Sequence, residues 1–190
     1  MIRRAIASRS VLVMLKFDGK GVGAVLFTAS AAFLPFGAHA EAALGPQASL
    51  CNANTSAVLV QIEGFKSRTG NVRVQLYSNN PGRFLEKGEY LERIELPVTS
   101  GGLMNVCVSV PKPGNYAVYV RHDVNGNGKS DRSDGGGFSG NPDVSLFDMM
   151  AKKKPRMSKA QFSVGSETRP IKIILNYVQG LSFEPLKQYR

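Results

Sequence analysis

A stretch rich in aspartate, asparagine and glycine, residues 121–142, contains the residue types and spacing that could do chemistry. Its centre fits the calcium-loop pattern D-x-[DN]-x-[DN]-G, which gathers several oxygens around one hard cation on a chain that turns back on itself. The predicted ligands, at loop positions one, three, five, seven, nine and twelve, are Asp123, Asn125, Asn127, the carbonyl of Lys129, Asp131 and Asp134. The sequence therefore predicts a Ca²⁺ site in this stretch.

Several features favour either weak binding or a loop that needs no ion. Position twelve holds Asp134, where helix-loop-helix sites have a bidentate glutamate, and a strand rather than a helix leads into the loop. Arg121, Lys129 and Arg132 offset the aspartate charges. Asp, Asn and Gly also favour tight turns by bonding to their own backbone. Two interpretations therefore remain: a calcium site with a Kd of roughly 10⁻⁴ to 10⁻³ M, and a self-satisfied turn.

A hydrolase is the alternative function, because His122, Asp123 and Ser139 are the residue types of a catalytic triad. Residues 137–141 read Gly-Phe-Ser-Gly-Asn, which lacks the last glycine of the G-x-S-x-G pattern. His122 and Asp123 are adjacent, so they point to opposite faces of a strand. Paired aspartates could serve glycoside chemistry, but the sequence shows no set of aromatic residues that would line a sugar groove. We expect no catalytic residues, and keep a hydrolase of envelope carbohydrate or ester as the alternative.

Short strands must position this loop, because period-two alternation of apolar residues dominates the chain. Seven such runs, separated by Gly, Pro, Asn and Ser turn signals, begin near residues 57, 71, 92, 104, 116, 160 and 171. Strands and helices do not alternate. The pattern predicts an all-β protein, a single seven-stranded antiparallel β-sandwich of immunoglobulin-like or transthyretin-like type over residues 56–178. A short helix is expected within residues 142–156.

The first forty residues have the layout of a secretory signal, with five basic residues, an apolar run over 22–36 and Ala38-His39-Ala40 as a cleavage site. We expect cleavage after Ala40 and a periplasmic or secreted protein. A retained anchor is the alternative, but the apolar run is shorter than the ~20 residues that a membrane span needs. We expect a flexible lead-in over residues 41–55 and a loose tail over residues 179–190.

The charge balance is basic but modest once the signal is removed. The chain carries 24 basic and 14 acidic residues, a net charge of +10. Residues 1–40 hold five of the basic and one of the acidic residues, which leaves 19 against 13 and a net charge of +6. No interleaved aromatic and basic pattern accompanies this excess, so we expect no nucleic-acid partner. The basic run over 152–156 is either a solvated loop or a contact for acidic headgroups or other polyanions.

The two cysteines, Cys51 and Cys107, both follow the signal, and an even count in an oxidising compartment predicts a disulfide. Bridging them constrains the unfolded chain by about 4 kcal/mol on the chain-entropy model. Two free thiols are the alternative. The strand alternation places Cys107 opposite the apolar face, so its partner should approach from outside the core.

The chain resembles a bacterial secreted family, domain of unknown function 2141. The resemblance rests on residues 70–77, 113–118, 122–131, 137–141 and 171–177, and it covers nearly all of residues 56–178. It implies a signal peptide followed by one β-sandwich, and it implies no reaction. Between Asp131 and Gly137 this chain lacks the longer Gly-x-Pro-x-Glu insert that family members usually have.

These features together predict an exported β-sandwich module with a structural or binding role in the cell envelope. The expected partner is an envelope protein or a polysaccharide, and Ca²⁺ is the one cofactor that the residues suggest. We expect no membrane span after cleavage of the signal.

Overall fold

Alternating apolar side chains build two β-sheets in the computed structural model, which describes residues 42–151 and 153–190. The strands are β1 (Ala57–Glu63), β2 (Asn71–Ser78), β3 (Glu92–Pro97), β4 (Met104–Ser109), β5 (Gly114–Asp123), β6 (Gly135–Phe138), β7 (Gln161–Val164), β8 (Arg169–Ile174), β9 (Asn176–Gln179) and β10 (Ser182–Pro185). The helices are α1 (Ala48–Asn52), α2 (Leu146–Met150) and α3 (Met157–Ala160), and a 3₁₀ turn covers Lys187–Tyr189.

The two sheets differ in size and in strand direction. The smaller sheet has the order β4-β1-β8, in which β1 pairs antiparallel with β4 and parallel with β8. The larger sheet has the order β10-β9-β6-β5-β2-β3, and β7 also pairs with β5. The first half of β5 pairs with β7 and the second half with β6. Strand β5 is therefore the centre of the larger sheet, and its end at Asp123 leads into the candidate loop.

The core lies between the two sheets and uses the faces that the alternation predicts. Val58, Val60 and Ile62 of β1 are fully buried against the inward side chains of the larger sheet. Those inward side chains include Val72, Val74 and Leu76 of β2 and Val118 and Val120 of β5. Since successive side chains of a strand alternate between faces, Arg73, Gln75 and Tyr77 must lie on the outer face.

The predicted class, an all-β sandwich, is confirmed, with a different strand count and with one parallel pair, β1 with β8, in a sheet arrangement that was expected to be antiparallel throughout. The described residues form ten strands. Strand β6 is the glycine run at residues 135–138, while β9 and β10 follow residue 175. Glycine-rich and polar segments lack the alternation by which strands are recognised, so tertiary pairing decides these three strands. The expected short helix within residues 142–156 is present as α2.

Both ends of the sandwich are more ordered than the composition predicts. In the expected flexible lead-in, the Leu44 amide donates to the Asn105 carbonyl at 2.7 Å, and α1 follows. In the expected loose tail, β10 pairs with β9 and buries Phe183. Leu44 in the first segment and Leu186 in the second pack against the core, and Phe183 is buried as well. Burial of these apolar side chains provides free energy that composition does not reveal.

The predicted disulfide is present between Cys51 and Cys107, with Cα atoms 6.0 Å apart. Cys107 lies in β4 opposite Leu59 of β1 and is fully buried. Cys51 reaches it from α1, on the side of the sheet away from the core. The bridge therefore fastens α1 to the smaller sheet, in the direction that the strand alternation predicted.

The expected signal and its cleavage site, residues 1–40, lie outside the described residues. Within residues 42–151 and 153–190, no helix is long and apolar enough to cross a membrane.

Candidate functional site

The loop over residues 123–134, named the Asp loop below, connects the end of β5 to the start of β6. Its backbone is held against the turn before β2, where Gly70 has a φ of +73°. A Cβ atom at Gly70 would lie 1.9 Å from the Asp123 carbonyl oxygen, so only glycine permits this approach. The Thr69 hydroxyl adds a hydrogen bond to the Val124 carbonyl at 3.0 Å. The start of the Asp loop is thus fixed against the turn before β2.

Two of the predicted ligands, Asp123 and Asp134, surround a cation that the chain itself supplies. The guanidinium of Arg121 lies 3.2 Å from Asp123 Oδ2 and 3.0 Å from Asp134 Oδ2. The same guanidinium donates to the carbonyls of Gly128, at 3.3 Å, and Lys129. The side chains of all three charged residues are 6% exposed or less. Loop positions one, seven and twelve therefore do converge, and Arg121 lies at their centre.

Backbone amides satisfy the remaining oxygens of these two carboxylates. Asp123 accepts from the amides of Asn127, at 3.2 Å, and Gly128, at 2.8 Å. Asp134 accepts from the amide of Val124 at 3.2 Å. A buried carboxylate is stable only when it is paired and fully hydrogen-bonded, and both of these meet that condition.

The other predicted ligands form a separate, exposed group around Asp131. The amide groups of Asn125 and Asn127 donate to Asp131 Oδ2 at 2.8 and 3.2 Å. Ser133 donates to Asp131 Oδ1 from its hydroxyl and its backbone amide. The hydrogen bonds from Ser133, followed by those from the two asparagines, lower the pKa of Asp131 to about 2. Asp131 is therefore ionised at every physiological pH.

The structure thus divides the predicted calcium ligands into two groups. No group of three or more His, Cys, Asp and Glu side chains in the described residues has an arrangement that could hold a metal ion. The contacts of Asp123 and Asp134 are those expected of a self-satisfied turn. Calcium binding stays a prediction, and an ion would compete with Arg121 for these two carboxylates.

The residue types of a catalytic triad do not meet. His122 is fully buried on the core side of β5, where Nδ1 lies 2.6 Å from the Tyr177 hydroxyl and Nε2 lies 2.8 Å from the Thr69 carbonyl. The Thr69 carbonyl can only accept, so Nε2 carries the proton and Nδ1 accepts from Tyr177. Burial lowers the pKa of His122, which keeps the ring neutral. Asp123 lies on the opposite face of β5.

The third triad residue, Ser139, is also buried and satisfied. Its hydroxyl accepts from the Val118 amide at 2.9 Å and donates to the Ala160 carbonyl. These contacts join β5 to α3, whose Met157 and Ala160 pack on the outer face of the larger sheet with Tyr77 and Ala117. Ser139 therefore holds β5 and α3 together.

The outer face of the larger sheet carries a groove that the sequence did not reveal. Strand register places four residues in a row across β3, β2, β5 and β6, namely Arg93, Gln75, Tyr119 and Phe138. The adjacent row is Glu95, Arg73, Arg121 and Gly136. Most of these side chains line a cavity of about 690 Å³, which we call the groove. That volume lies within the ~300–1,000 Å³ range of small-molecule sites.

Two segments and the Asp loop form the walls of the groove. The segment 85–90 stands on one side and the segment 153–155 on another, joined by an ion pair between Lys154 and Glu86. Ser130, Asp131 and Asp134 of the Asp loop form one end. Leu85, in the first wall, has a φ of +61°, a conformation that is strained for leucine. Strain of this kind is concentrated at functional sites.

Aromatic side chains from five separate parts of the chain line the groove. They are Tyr77, Tyr90, Tyr119, Phe138 and Phe183. The rings of Tyr119 and Phe138 stack with centroids 5.0 Å apart and an angle of 29°. The expectation that the chain has no aromatic set suited to a groove is therefore wrong. It fails because these residues lie far apart along the chain. The pairing of β2, β5 and β6 brings Tyr77, Tyr119 and Phe138 to one face, and Tyr90 and Phe183 reach the groove from outside these three strands.

The hydroxyl of Tyr77 lines the groove without a protein partner. The Tyr77 residue is 3% exposed, and its hydroxyl makes no hydrogen bond to a residue that the structure describes. Burial, together with the nearby Tyr119 and Tyr90, raises the pKa of Tyr77 to about 12. Burial also raises the pKa of Tyr119. A polar group without a protein partner must bond to solvent or to a ligand, so this hydroxyl marks a place where a ligand could bind.

A sequence signal for the groove does exist. Tyr77 and Tyr119 stand at polar-face positions of their strands, outside the core between the sheets, so the sequence predicts that another part of the chain or a ligand covers them. In the structure, Tyr77 packs in a second apolar cluster on this face with Phe84, Ala117, Met157 and Ala160, and Tyr119 and Phe138 lie against that cluster. The signal becomes specific only once β2 and β5 are known to be neighbours.

Comparisons with known proteins identify a family but no activity. The model of a family described as "uncharacterized protein conserved in bacteria (DUF2141)" matches residues 60–172. This match confirms the resemblance seen in the sequence. The matched span begins in β1 and ends in β8, so it contains the Asp loop and most of the groove. No curated protein and no solved structure gave a significant match.

Proposed function

Because the chain belongs to this family of uncharacterized bacterial proteins, whose description names no activity, we propose a function from the groove: the protein is an exported, non-catalytic binding module of the cell envelope. Its ligand lies on the outer face of the larger sheet. The Asp loop is the rigid end wall of that site.

The observation that carries this proposal is the unpaired hydroxyl of Tyr77 in an aromatic cavity of about 690 Å³. Elsewhere, buried polar side chains such as His122 and Ser139 have protein partners. A ligand hydroxyl, carbonyl or amide would supply the missing partner of Tyr77. Aromatic walls with a few fixed polar groups are the usual composition of a ligand site.

The chemistry of the groove supports binding rather than catalysis. A glycosidase needs one carboxyl group that stays protonated to act as a general acid. Asp131 has a lowered pKa, while Asp134 is paired with Arg121 and Glu86 with Lys154. None of these three lining carboxylates lies in an apolar setting, as the general acid of a glycosidase does. A nucleophile with an adjacent base is also missing from the described lining, since Ser139 and His122 lie elsewhere.

Rigid construction is a second support for the proposal. Asp123, Asp134 and Arg121 lock the Asp loop, and Gly135 and Gly137 let β6 pack tightly below the groove. A Cβ atom at Gly135 would lie 2.3 Å from the Tyr177 ring. A site whose supporting residues cannot rearrange loses less conformational entropy on binding.

Thermal unfolding in the presence of a mixed ligand panel tests the proposal. The panel should hold neutral oligosaccharides, acidic oligosaccharides, fatty acids, aromatic acids and short peptides, each at millimolar concentration. We expect at least one class to raise the Tm and to be recovered unchanged. Gly136→Val should abolish the rise, because Gly136 faces the groove and its Cβ would already lie 3.4 Å from the Tyr119 ring.

Gly165→Val is the matched control, since a Cβ atom there has no neighbour within 4 Å and Gly165 is outside the groove lining. The control should keep the ligand response of the natural protein. A ligand response that survives Gly136→Val would remove the groove from the proposal. Turnover of a panel member, lost in Gly136→Val, would replace binding with the hydrolase alternative.

A further inference from the structure

The charges around the groove cancel. Six cationic side chains line it: Arg73, Lys87, Arg93, Arg121, Lys153 and Lys154. Three carboxylates line it: Glu86, Asp131 and Asp134. Three more carboxylates pair with the lining cations from outside: Glu95, Asp123 and Asp148. Six cations and six carboxylates leave no net charge.

Five of the six lining cations are also held in ion pairs, so they are not free to bind an anion. Glu95 pairs with both Arg73, at 3.0 Å, and Arg93, at 2.9 Å. Among the described residues, Lys87 is the one lining cation without an ion pair. An anionic ligand would have to break existing pairs to gain new ones. A neutral ligand can instead use the paired side chains as fixed donors and acceptors.

The stacked pair of Tyr119 and Phe138 gives the groove an apolar surface. Both rings are half-buried and lie in one outward row with Gln75 and Arg93. The face of an aromatic ring is negative, so it attracts weakly positive C–H groups. Gly136 in the adjacent row has no side chain above the sheet, which leaves the Tyr119 ring accessible from that side.

The groove therefore combines an aromatic surface, unpaired hydroxyls and cancelled charge. A sugar ring has the matching features: a face of C–H groups, an edge of hydroxyls that donate and accept, and no charge. An acyl chain would leave the hydroxyl of Tyr77 unpaired, and an acidic chain would disturb the ion pairs. Building on the proposed function, we propose that the ligand is a neutral oligosaccharide segment of a polysaccharide, stacked on Tyr119 and hydrogen-bonded to Tyr77.

Isothermal titration with defined oligosaccharides tests this inference. Neutral hexasaccharides of β-linked glucose, α-linked glucose, mannose and N-acetylglucosamine are compared with a galacturonate hexasaccharide. We expect at least one neutral chain to bind in preference to the acidic chain. Tyr119→Ala should weaken that binding at least about tenfold, as for a central aromatic anchor. Tyr77→Phe, which removes one hydroxyl, should weaken it about threefold to tenfold.

Phe147→Ala is the matched control, because Phe147 is 78% exposed and lies outside the groove lining. It should bind like the natural protein, and the Tm of every variant is measured to show that it folds. Binding of the acidic chain alone, lost in Tyr119→Ala, would overturn the neutral-sugar inference and leave the groove as a ligand site. If only fatty acids or aromatic acids raise the Tm in the thermal unfolding panel, the neutral-sugar inference is also overturned and the groove remains a ligand site. Absence of any groove-dependent ligand would overturn both proposals.

Discussion

The Asp loop and the groove beside it differ in how their polar groups are satisfied. In the Asp loop, the carboxylates of Asp123 and Asp134 have backbone amides and the Arg121 guanidinium as partners. In the groove, the hydroxyl of Tyr77 has no protein partner among the described residues, although the residue as a whole is only 3% exposed. The loop attracts attention in the sequence because it is dense in metal-ligand residue types. The groove is the better candidate site because its polar groups are incompletely satisfied.

Residue types thus indicate what a segment can bind, and hydrogen bonding indicates whether the segment still needs a ligand. The predicted calcium ligands at positions one, seven and twelve converge as the pattern requires. Their partner in the structure is Arg121, a cation on a neighbouring position of the same strand. If this comparison holds, changes in the Asp loop reduce stability, whereas changes in the groove reduce binding.

Removing the internal cation should have the largest effect. Arg121→Gln leaves Asp123 and Asp134 buried without a counter-charge, and breaking a buried pair in this way costs about 3–5 kcal/mol. The matched variant is Arg93→Gln, because its partner Glu95 is 36% exposed and such a pair contributes about 0–1 kcal/mol. Urea unfolding measures both. Similar losses in the two variants would contradict the assignment of Arg121 as the cation of the loop.

The contact that seats the Asp loop should have the next largest effect. Gly70→Ala places a Cβ atom 1.9 Å from the Asp123 carbonyl oxygen, and we expect a loss of about 3 kcal/mol or more. Gly88→Ala, in the groove wall, has a similar φ of +83° but no atom within 4 Å. It should cost only the about 1–2 kcal/mol of a left-handed alanine. Equal losses would mean that the loop can shift away from Gly70.

Acid should destabilise the protein through His122, which lies directly beneath the Asp loop. Burial lowers its pKa in the folded state, so the unfolded chain takes up the proton more readily. The stability is therefore fully present above the unfolded pKa of about 6.5 and is lost as the pH falls towards the lower folded pKa. Carboxylates with lowered pKa values, such as Asp131 and Glu95, act in the same direction only at more acidic pH.

We expect a lower Tm at about pH 5 than at about pH 7.5, bracketing the ordinary pKa of histidine. His122→Gln, which cannot take up a proton, should flatten the curve over this range even if its Tm is lower throughout. An unchanged slope in His122→Gln would assign the acid sensitivity to other groups.

Calcium should have the smallest effect on the free energy of unfolding. A large effect would contradict the contrast between a satisfied Asp loop and an incompletely satisfied groove. Since an ion must compete with Arg121, we expect the weak end of the predicted range, a Kd of about 10⁻³ M. At 10 mM, the ion would then add about 1.4 kcal/mol to the free energy of unfolding. The Tm would rise by roughly 3–6 °C for a domain of this size.

Asp131→Asn keeps the size of the side chain and should reduce the calcium response. Identical melting curves in chelator and in 10 mM calcium would identify the Asp loop as a self-satisfied turn. A Tm rise well above the expected range would show that Arg121 is displaced easily and that the loop is itself a ligand site.

The sequence predicted the parts of this protein that depend on neighbours along the chain. Period-two alternation identified β1 to β5 and the face that each one buries, since a strand must place successive side chains on opposite sides. The even cysteine count predicted the disulfide, and the turn chemistry located the Asp loop. Strands β6, β9 and β10 were missed because glycine and polar residues give no alternation.

The tertiary structure decided everything that depends on which strands are neighbours. Residues of β2 and β5 are about forty positions apart, yet their pairing sets Gln75 opposite Tyr119 and assembles the groove. The pairing of β5 with β6 brings Asp134 back beside Arg121, which lies 13 positions earlier, and Arg121 then occupies the predicted calcium loop. Local sequence patterns contain the preference of each strand for a buried face, whereas strand order follows from the free energy of the complete core. Local patterns were therefore enough to predict the all-β fold class and the position of the Asp loop. The position of the groove depends on strand order, which local patterns do not contain.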